Sequence, residues 1–479
     1  MNKNETRALY ANGVKNFKAH LRLSFLLVIA FLLFNSSYSQ QKKPNIIIIL
    51  ADDLGYGDLG SYGQKLIHTP NIDALAAGGM RFTNYYSGCS VCAPSRETLL
   101  TGQHTGHTYI RGNFLTDKQE DPALPGEKMI VAEYLKKAGY HTALIGKWGL
   151  GGEQDGPEKQ GFDYTYGYLD QIKAHNYYPP FLYETGKKIE LAQNKDGAKG
   201  VYSHDLIVQK TMDYLNDIDK KQPFFLYLPY TLPHGEYSLP PDTPYINNNW
   251  QPNFKVYATM ISKLDRDIGR IMKVLKEKGV ADNTLIFFAS DNGANAGFAR
   301  FFKSNGPFNG SKFGLYEGGI RVPMIAYWPG KIKSATVSDL ISASWDLLPT
   351  ICQVTGISTP AGLDGISLWP ELTGKKQADH SYLYWEYFTY NYNWNKPENN
   401  TPRNYLESIA LRMGKWKAIK KDMYKDKNAP IALYNLETDP GEKNDVANEN
   451  PDVIKKITAI LPGCTIDNAP YFPYKKQTN

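Results

Sequence analysis

The sequence predicts an α/β fold, a large sheet flanked by helices with a smaller antiparallel sheet and helix at its end. Three observations predict it. The segments "KPNIIIILADDLGYGDLG", "PFFLYLPYTLPHGE" and "NTLIFFASDNGAN" each run from a continuous apolar stretch into a polar, glycine-containing loop. Such runs read as strands buried on both faces. "YATMISKLDRDIGRIMKVLKEKG" places Met260, Ile261, Leu264, Ile268, Ile271 and Leu275 at helical spacing, stopped by Gly279. "MIVAEYLKKAGY" is a second such helix and leads into the strand "HTALIGKWGL". Strands alternating with helices build a sheet covered on both sides, and chemistry then collects at the carboxyl ends of the strands.

From about "SLWPELTGKK" onward the character changes. "SYLYWEYF", "ALRMGKWKAIK" and "IALYNLE" read as three short aromatic strands, followed by the turn "TDPGEKND" and the helix "PDVIKKITAIL". This predicts a small antiparallel sheet with one helix packed on it. The expected segments are a leader at 1–39, an α/β body at 44–370 and an α+β subdomain at 371–479.

The leader has a basic start ending at Arg22, an apolar run from Leu23 to Phe34, and small residues in "NSSYSQ". A run of twelve residues, all but Ser24 apolar, is short for a membrane span and suits a cleaved signal peptide. The chain is expected to be exported, to the periplasm or beyond, with no stable membrane span. Of the net charge of +6, the leader carries +4 (Lys3, Arg7, Lys15, Lys18 and Arg22 against Glu5). The remainder is near neutral, which argues against nucleic-acid binding. Four cysteines, Cys89, Cys92, Cys352 and Cys464, are too few for a disulfide scaffold of this length. By themselves Cys89 and Cys92 leave a redox pair, half a metal site or a disulfide open.

Asp52, Asp53, Asp291 and Asn292 fall at strand ends. Adjacent buried carboxylates repel unless a cation compensates them. An all-oxygen set suits a hard ion, Ca²⁺ or Mg²⁺, rather than zinc. Taken singly, either pair also fits a helix cap or a turn.

"CAPSRETLLTG" resembles the signature of the type I sulfatases, C-x-P-S-R-x-x-L-x-T-G, at Cys92, Pro94, Ser95, Arg96, Leu99, Thr101 and Gly102. "GYHTALIGKWGLG" resembles the second signature of that family, and "SDNG", "KFGLYEGGIRVPMIAYWPG", "DLLPTICQVTG", "LDGISLWPELTG" and "LYNLETDPGEKND" resemble further blocks. The resemblance implies an alkaline-phosphatase-like fold with a large mixed sheet, and hydrolysis of sulfate esters. It implies that Cys92 is converted to formylglycine by a formylglycine-generating enzyme or an anaerobic sulfatase-maturating enzyme. One hydroxyl of the hydrated aldehyde attacks sulfur, and the other then loses its proton and expels sulfate. It further implies that Asp52, Asp53, Asp291 and Asn292 hold the metal together with residue 92. Arg96 is expected to reach back one helical turn to that side chain. Lys147 and Lys312 are expected to meet the sulfate oxygens, and His234 to protonate the leaving alcohol.

One position departs from the pattern. Many members carry a histidine where this chain has Gly149, and related carbohydrate sulfatases carry a run similar to "HNYYP" beside that glycine. His175 is therefore the expected substitute. His104, His107 and Arg111 in "GQHTGHTYIRGN", with the loop "NYNWNKPENNTPRNY", are the expected sugar contacts. The implied substrate is a sulfated polysaccharide or oligosaccharide: glycosaminoglycan, mucin, or an algal polymer such as ulvan or carrageenan. The competing readings are a phosphoesterase of the same superfamily and a sugar-binding relative without activity.

Overall fold

A computed structural model describes residues 42–113, 123–238, 243–390 and 404–466, apart from 424 and 427. The leader and all but the last two residues of "NYNWNKPENNTPRNY" lie outside the described residues. Residues from Pro44 onward form one compact unit.

The strands are β1 (Asn45–Ala51), β2 (Met80–Phe82), β3 (Tyr85–Tyr86), β4 (His141–Lys147), β5 (Tyr164–Tyr168) and β6 (Phe181–Glu184). They continue with β7 (Lys187–Glu190), β8 (Phe224–Pro229), β9 (Thr284–Ser290), β10 (Met324–Tyr327), β11 (Thr336–Ser338) and β12 (Ser342–Ala343). The last four are β13 (Leu383–Tyr390), β14 (Asn404–Met413), β15 (Trp416–Lys420) and β16 (Ile431–Asn435). Ten of them form one mixed sheet in the order β11-β2-β10-β9-β1-β8-β4-β5-β6-β7. Its centre, β9-β1-β8-β4-β5, is parallel, and β10, β6 and β7 add antiparallel pairings toward the edges.

The run of isoleucines in β1 is explained by its two covered faces. Ile47 and Ile49 pack with the helices Ser203–Asp217 and Pro252–Glu277, while Ile46, Ile48 and Leu50 pack with Cys92–Thr101 and Leu347–Thr355. In the 252–277 helix every apolar position singled out from the sequence is buried.

The C-terminal sheet, β13-β14-β15-β16, is antiparallel as expected, with the helix Pro451–Ile460 after it. One element differs. "ALRMGKWKAIK" is not a single strand but a hairpin, with Gly414 and Lys415 as its turn. Gly414 has φ 56°, and glycine at the first position of a two-residue turn is what that geometry favours.

This sheet is joined to the α/β body by buried ion pairs. Lys417 Nζ lies 2.9 Å from Glu317 Oε1, both side chains fully buried, and Arg111 Nη1 lies 3.0 Å from Glu386 Oε2. Removing one partner of such a pair strands the other charge away from water. Lys417→Met will therefore destabilise the protein by about 3 kcal/mol, read as a lowered denaturant midpoint. An unchanged midpoint would show that Arg321, 3.1 Å from the same carboxylate, suffices.

Candidate active site

Because β9, β1, β8 and β4 are neighbours running the same way, their carboxyl ends lie side by side. β1 delivers Asp52 and Asp53, β9 delivers Asp291 and Asn292, β4 ends on Lys147, and the chain beyond β8 carries His234. The ends are stitched together by Asp52 N–H donating to Leu232 O at 3.1 Å and Asp291 N–H donating to Ala51 O at 3.1 Å. Asp53 turns into the left-handed region, φ 65°, which a short acidic side chain tolerates better than most. It is held there by Asn292 Nδ2 at 2.7 Å and Lys312 Nζ at 2.8 Å.

Cys92 opens a helix of ten residues, Cys92–Thr101, all of them buried. Its Sγ lies 3.2 Å from Asp52 Oδ1 and 3.7 Å from Lys312 Nζ. Burial, then the charge on Asp52, pushes this thiol well above its usual range. As a cysteine, residue 92 is thus held as a neutral thiol, a poor nucleophile. All four cysteines are free, and Cys89 is buried with its Sγ toward Glu386 O.

Arg96 stands inside the same cluster as Cys92. Its Nη2 bonds Asp52 Oδ2 at 3.0 Å and Asp291 Oδ2 at 2.8 Å, and its Nη1 bonds Lys147 O at 3.1 Å. It ties two carboxylates and a strand end together, charge-assisted bonds that outcompete any to the weak sulfur acceptor of an unmodified cysteine. Lys147 Nζ lies 2.7 Å from Asp52 Oδ2, and Lys312 Nζ lies 3.0 Å from His234 Nε2.

Three buried carboxylates therefore face three buried cations. Burial raises Asp52, but Lys147, with Arg96 and Lys312, outweighs it and holds it well below its usual value. Burial, then Asp52, pushes Asp291 up to about 7. Arg96, shared between Asp52 and Asp291, does not offset the burial of the latter, and Asn292 Oδ1 is buried with no hydrogen-bond partner among the described residues. Ligand atoms of Asp52, Asp53, Cys92 and His234 lie within 4.8 Å of one another. An orphaned oxygen and an undercompensated acid beside such a cluster fit a hard divalent cation.

Residues 44–357 match the sulfatase family model, and residues 309–462 match the C-terminal region of N-sulphoglucosamine sulphohydrolase. The chain belongs to the sulfatase family. It is 29% identical to human N-acetylgalactosamine-6-sulfatase, covering 88% of this chain and 85% of that one. It is 32% identical to human arylsulfatase A, over 88% of this chain and 87% of that protein. The solved structure of Ps i-CgsB in complex with k-i-k-neocarrahexaose superposes with a TM-score of 0.76 at 29% identity, covering 90% of this chain and 95% of that one. Sulfatases are sulfuric ester hydrolases, so the chain is read as an enzyme of that class.

The cavity of this sulfatase measures about 490 Å³ and opens over Asp53, Lys312 and His234. His175 lines it too, its ring stacked on that of His234 with centroids 4.2 Å apart. Burial, then His234, pushes His175 down to about 2, and burial, then Lys312, pushes His234 down to about 4, so both rings are neutral. Gly149 has φ 70°, and a Cβ there would lie 3.0 Å from Gln171 Oε1. A histidine at 149 would be strained as well as crowded.

The expected sugar contacts are placed differently. His107 Nδ1 lies 2.8 Å from Asp364 Oδ1, His104 Nε2 lies 3.5 Å from it, and the two rings stack. Arg111 binds Glu386 and the carbonyls of Thr108 and Ile466. None of the three lines the cavity. His104 and His107 join the loop after Cys92–Thr101 to the loop residue Asp364, and Arg111 joins it to β13 through Glu386.

The walls come instead from Asn113, Tyr237, Phe313 and the β13 residues Tyr387, Phe388 and Thr389. Sequence reasoning passed over these. Only the aromatic density of "SYLYWEYF" hinted at them, and it read equally well as core. A larger cleft of about 720 Å³ has His141, Tyr164 and Phe224, the first residues of β4, β5 and β8, among its lining. It lies at the amino ends of those strands, the opposite end from Asp52, Asp53 and Asp291.

Proposed function

We propose that this sulfatase removes sulfate from a sulfated carbohydrate, with residue 92 acting after conversion to formylglycine and one Ca²⁺ or Mg²⁺ held by Asp52, Asp53, Asp291 and Asn292. The observation that carries the reading is the place of Cys92. It sits at the start of a buried helix, against Asp52 and Lys312, in a cluster whose carboxylates call for a cation. A buried neutral thiol there is no catalyst, whereas a hydrated aldehyde supplies one hydroxyl to attack sulfur and a second to expel sulfate. The cation, when bound, lowers the pKa of an adjacent hydroxyl and neutralises charge.

The chain's own residues do the rest. Lys147 and Lys312 present ammonium groups to an anionic ester, and Arg96 keeps the two acids at their strand ends. His234 accepts at Nε2 from Lys312 while its Nδ1 is bonded to Gly235 O. An anionic ester beside it favours the protonated ring, which then delivers a proton to the leaving alcohol. Tyr237, Phe313, Tyr387 and Phe388 offer apolar faces for a sugar ring, and Phe313 is 56% exposed. Relatives named for N-acetylgalactosamine and for a neocarrahexaose complex support a glycosaminoglycan, mucin or algal galactan as substrate. The leader's pattern supports export, to the periplasm, where such fragments arrive.

Sulfate release from a panel of defined sulfated oligosaccharides, with a mass spectrum of the tryptic peptide containing residue 92, tests the reading. An unmodified cysteine in an active preparation would sink it. His175→Ala will lower kcat and kcat/KM together by about 10²-fold, since the stacked ring positions His234 during proton transfer. An unchanged kcat would return His175 to a packing role. Gly149→His will not rescue that variant, given the left-handed backbone at 149.

A further inference from the structure

The helix that carries residue 92 begins without the usual side-chain cap. Val91 stands at the cap position and supplies no side-chain oxygen, and Pro94 in the first turn has no N–H. The Ala93 N–H is bonded from a distance, by Asn113 Oδ1 at 2.9 Å. The same oxygen accepts from Gln171 Nε2 at 3.3 Å. The backbone Ala93 N–H settles which end of the amide is oxygen, because a flipped Asn113 would set its NH₂ group against that donor.

Asn113 also lines the cavity with His175, His234 and Lys312. Its Oδ1 is occupied, and its Nδ2 makes no hydrogen bond among the described residues. Gln171, 5% exposed, fills the space over Gly149, and Gly149 N–H bonds Leu169 O at 2.8 Å, keeping the two segments together. A side chain at 149 would push Gln171 away. The glycine and the glutamine belong to one arrangement.

We propose that Asn113 binds substrate, donating from Nδ2 to a sulfate oxygen in the cavity, and that Gln171 and the Ala93 N–H are what hold it in that orientation. The identity of the anion rests on the sulfatase reading above. The orientation of the amide does not. Asn113 is a substrate-binding residue in this scheme and Gln171 a positioning one.

The test uses the full chain, with titration of sodium sulfate by calorimetry beside steady-state kinetics. Asn113→Asp keeps an oxygen for Ala93 and Gln171 but removes the NH₂ donor and brings a negative charge to the same place. It is expected to weaken sulfate binding and lower kcat/KM by about tenfold or more, chiefly through KM, with an unchanged Tm. Wild-type sulfate affinity and kcat/KM in Asn113→Asp would overturn the proposal, since a purely structural Asn113 is satisfied by aspartate. Gln171→Met, close in volume and lacking the donor, is expected to cost less, and nothing further in an Asn113→Ala background. Additive losses would show that Gln171 does not act through Asn113. If Asn113→Asp weakens sulfate binding while no sulfate ester on the panel is cleaved, the anion contact stands and the assigned reaction fails. If the wild type cleaves and Asn113→Asp matches it, the contact fails and the reaction stands.

Discussion

Cys92→Ser will lose turnover by about 10³-fold or more, the scale of removing a nucleophile, while keeping its fold. Serine differs from the native side chain by one atom in a fully buried position, so packing changes little. What it lacks is a second hydroxyl on the same carbon. A serine attacking sulfur would be left as a stable ester, with no proton to lose that expels sulfate. The measurement is sulfate release by a preparation whose mass spectrum shows unmodified serine at 92, beside a thermal melt to confirm folding. Wild-type turnover in that variant would refute the chemistry assigned to this position.

Asp53→Asn will strip the cation from the site and lower the rate by about 10²-fold or more, beyond the usual cost of losing a partner that only orients a metal. Asparagine is the informative change. Asp53 has φ 65°, a conformation asparagine tolerates and alanine does not, so Asp53→Ala would mix backbone strain with loss of charge. Removing the charge leaves Asp52 and Asp291 to hold a divalent ion beside Lys312, whose ammonium then has no carboxylate 2.7 Å away to offset it. Elemental analysis of washed protein, with activity measured after chelation and after addition of Ca²⁺ or Mg²⁺, checks the prediction. One hard ion per chain in the wild type and a loss in the variant is the expected pattern. Two zinc ions per chain would place the protein with the phosphoesterases instead.

Much of the site was legible because it lies where local patterns end. β1 and β9 are apolar runs buried on both faces, so the first polar residues after them, Asp52, Asp53, Asp291 and Asn292, had to stand at the sheet's edge. The long 252–277 helix follows from spacing alone. Arg96 was legible as a member of the site but not in its bonds, since its carboxylate partners lie 44 and 195 residues away. The partners of His104, His107 and Arg111 were hidden for the same reason. Nothing near them in sequence announces Asp364 or Glu386, which take up their polar groups.

The sequence by itself determined the α/β class, the ends of the strands where chemistry collects, and the chemical types gathered there. Those depend on periodicity and on residues within a few positions of one another. Only the tertiary structure decided that β13 of the C-terminal sheet walls the cavity, and that His175 stacks on His234. It also decided that Asn113 and Gln171 meet beside the amino end of the nucleophile helix. Each of these joins groups far apart in the chain by contacts a few ångströms long. A contact of that kind leaves no periodic trace in the sequence, because many residue types satisfy the local backbone and only the partner across space selects among them.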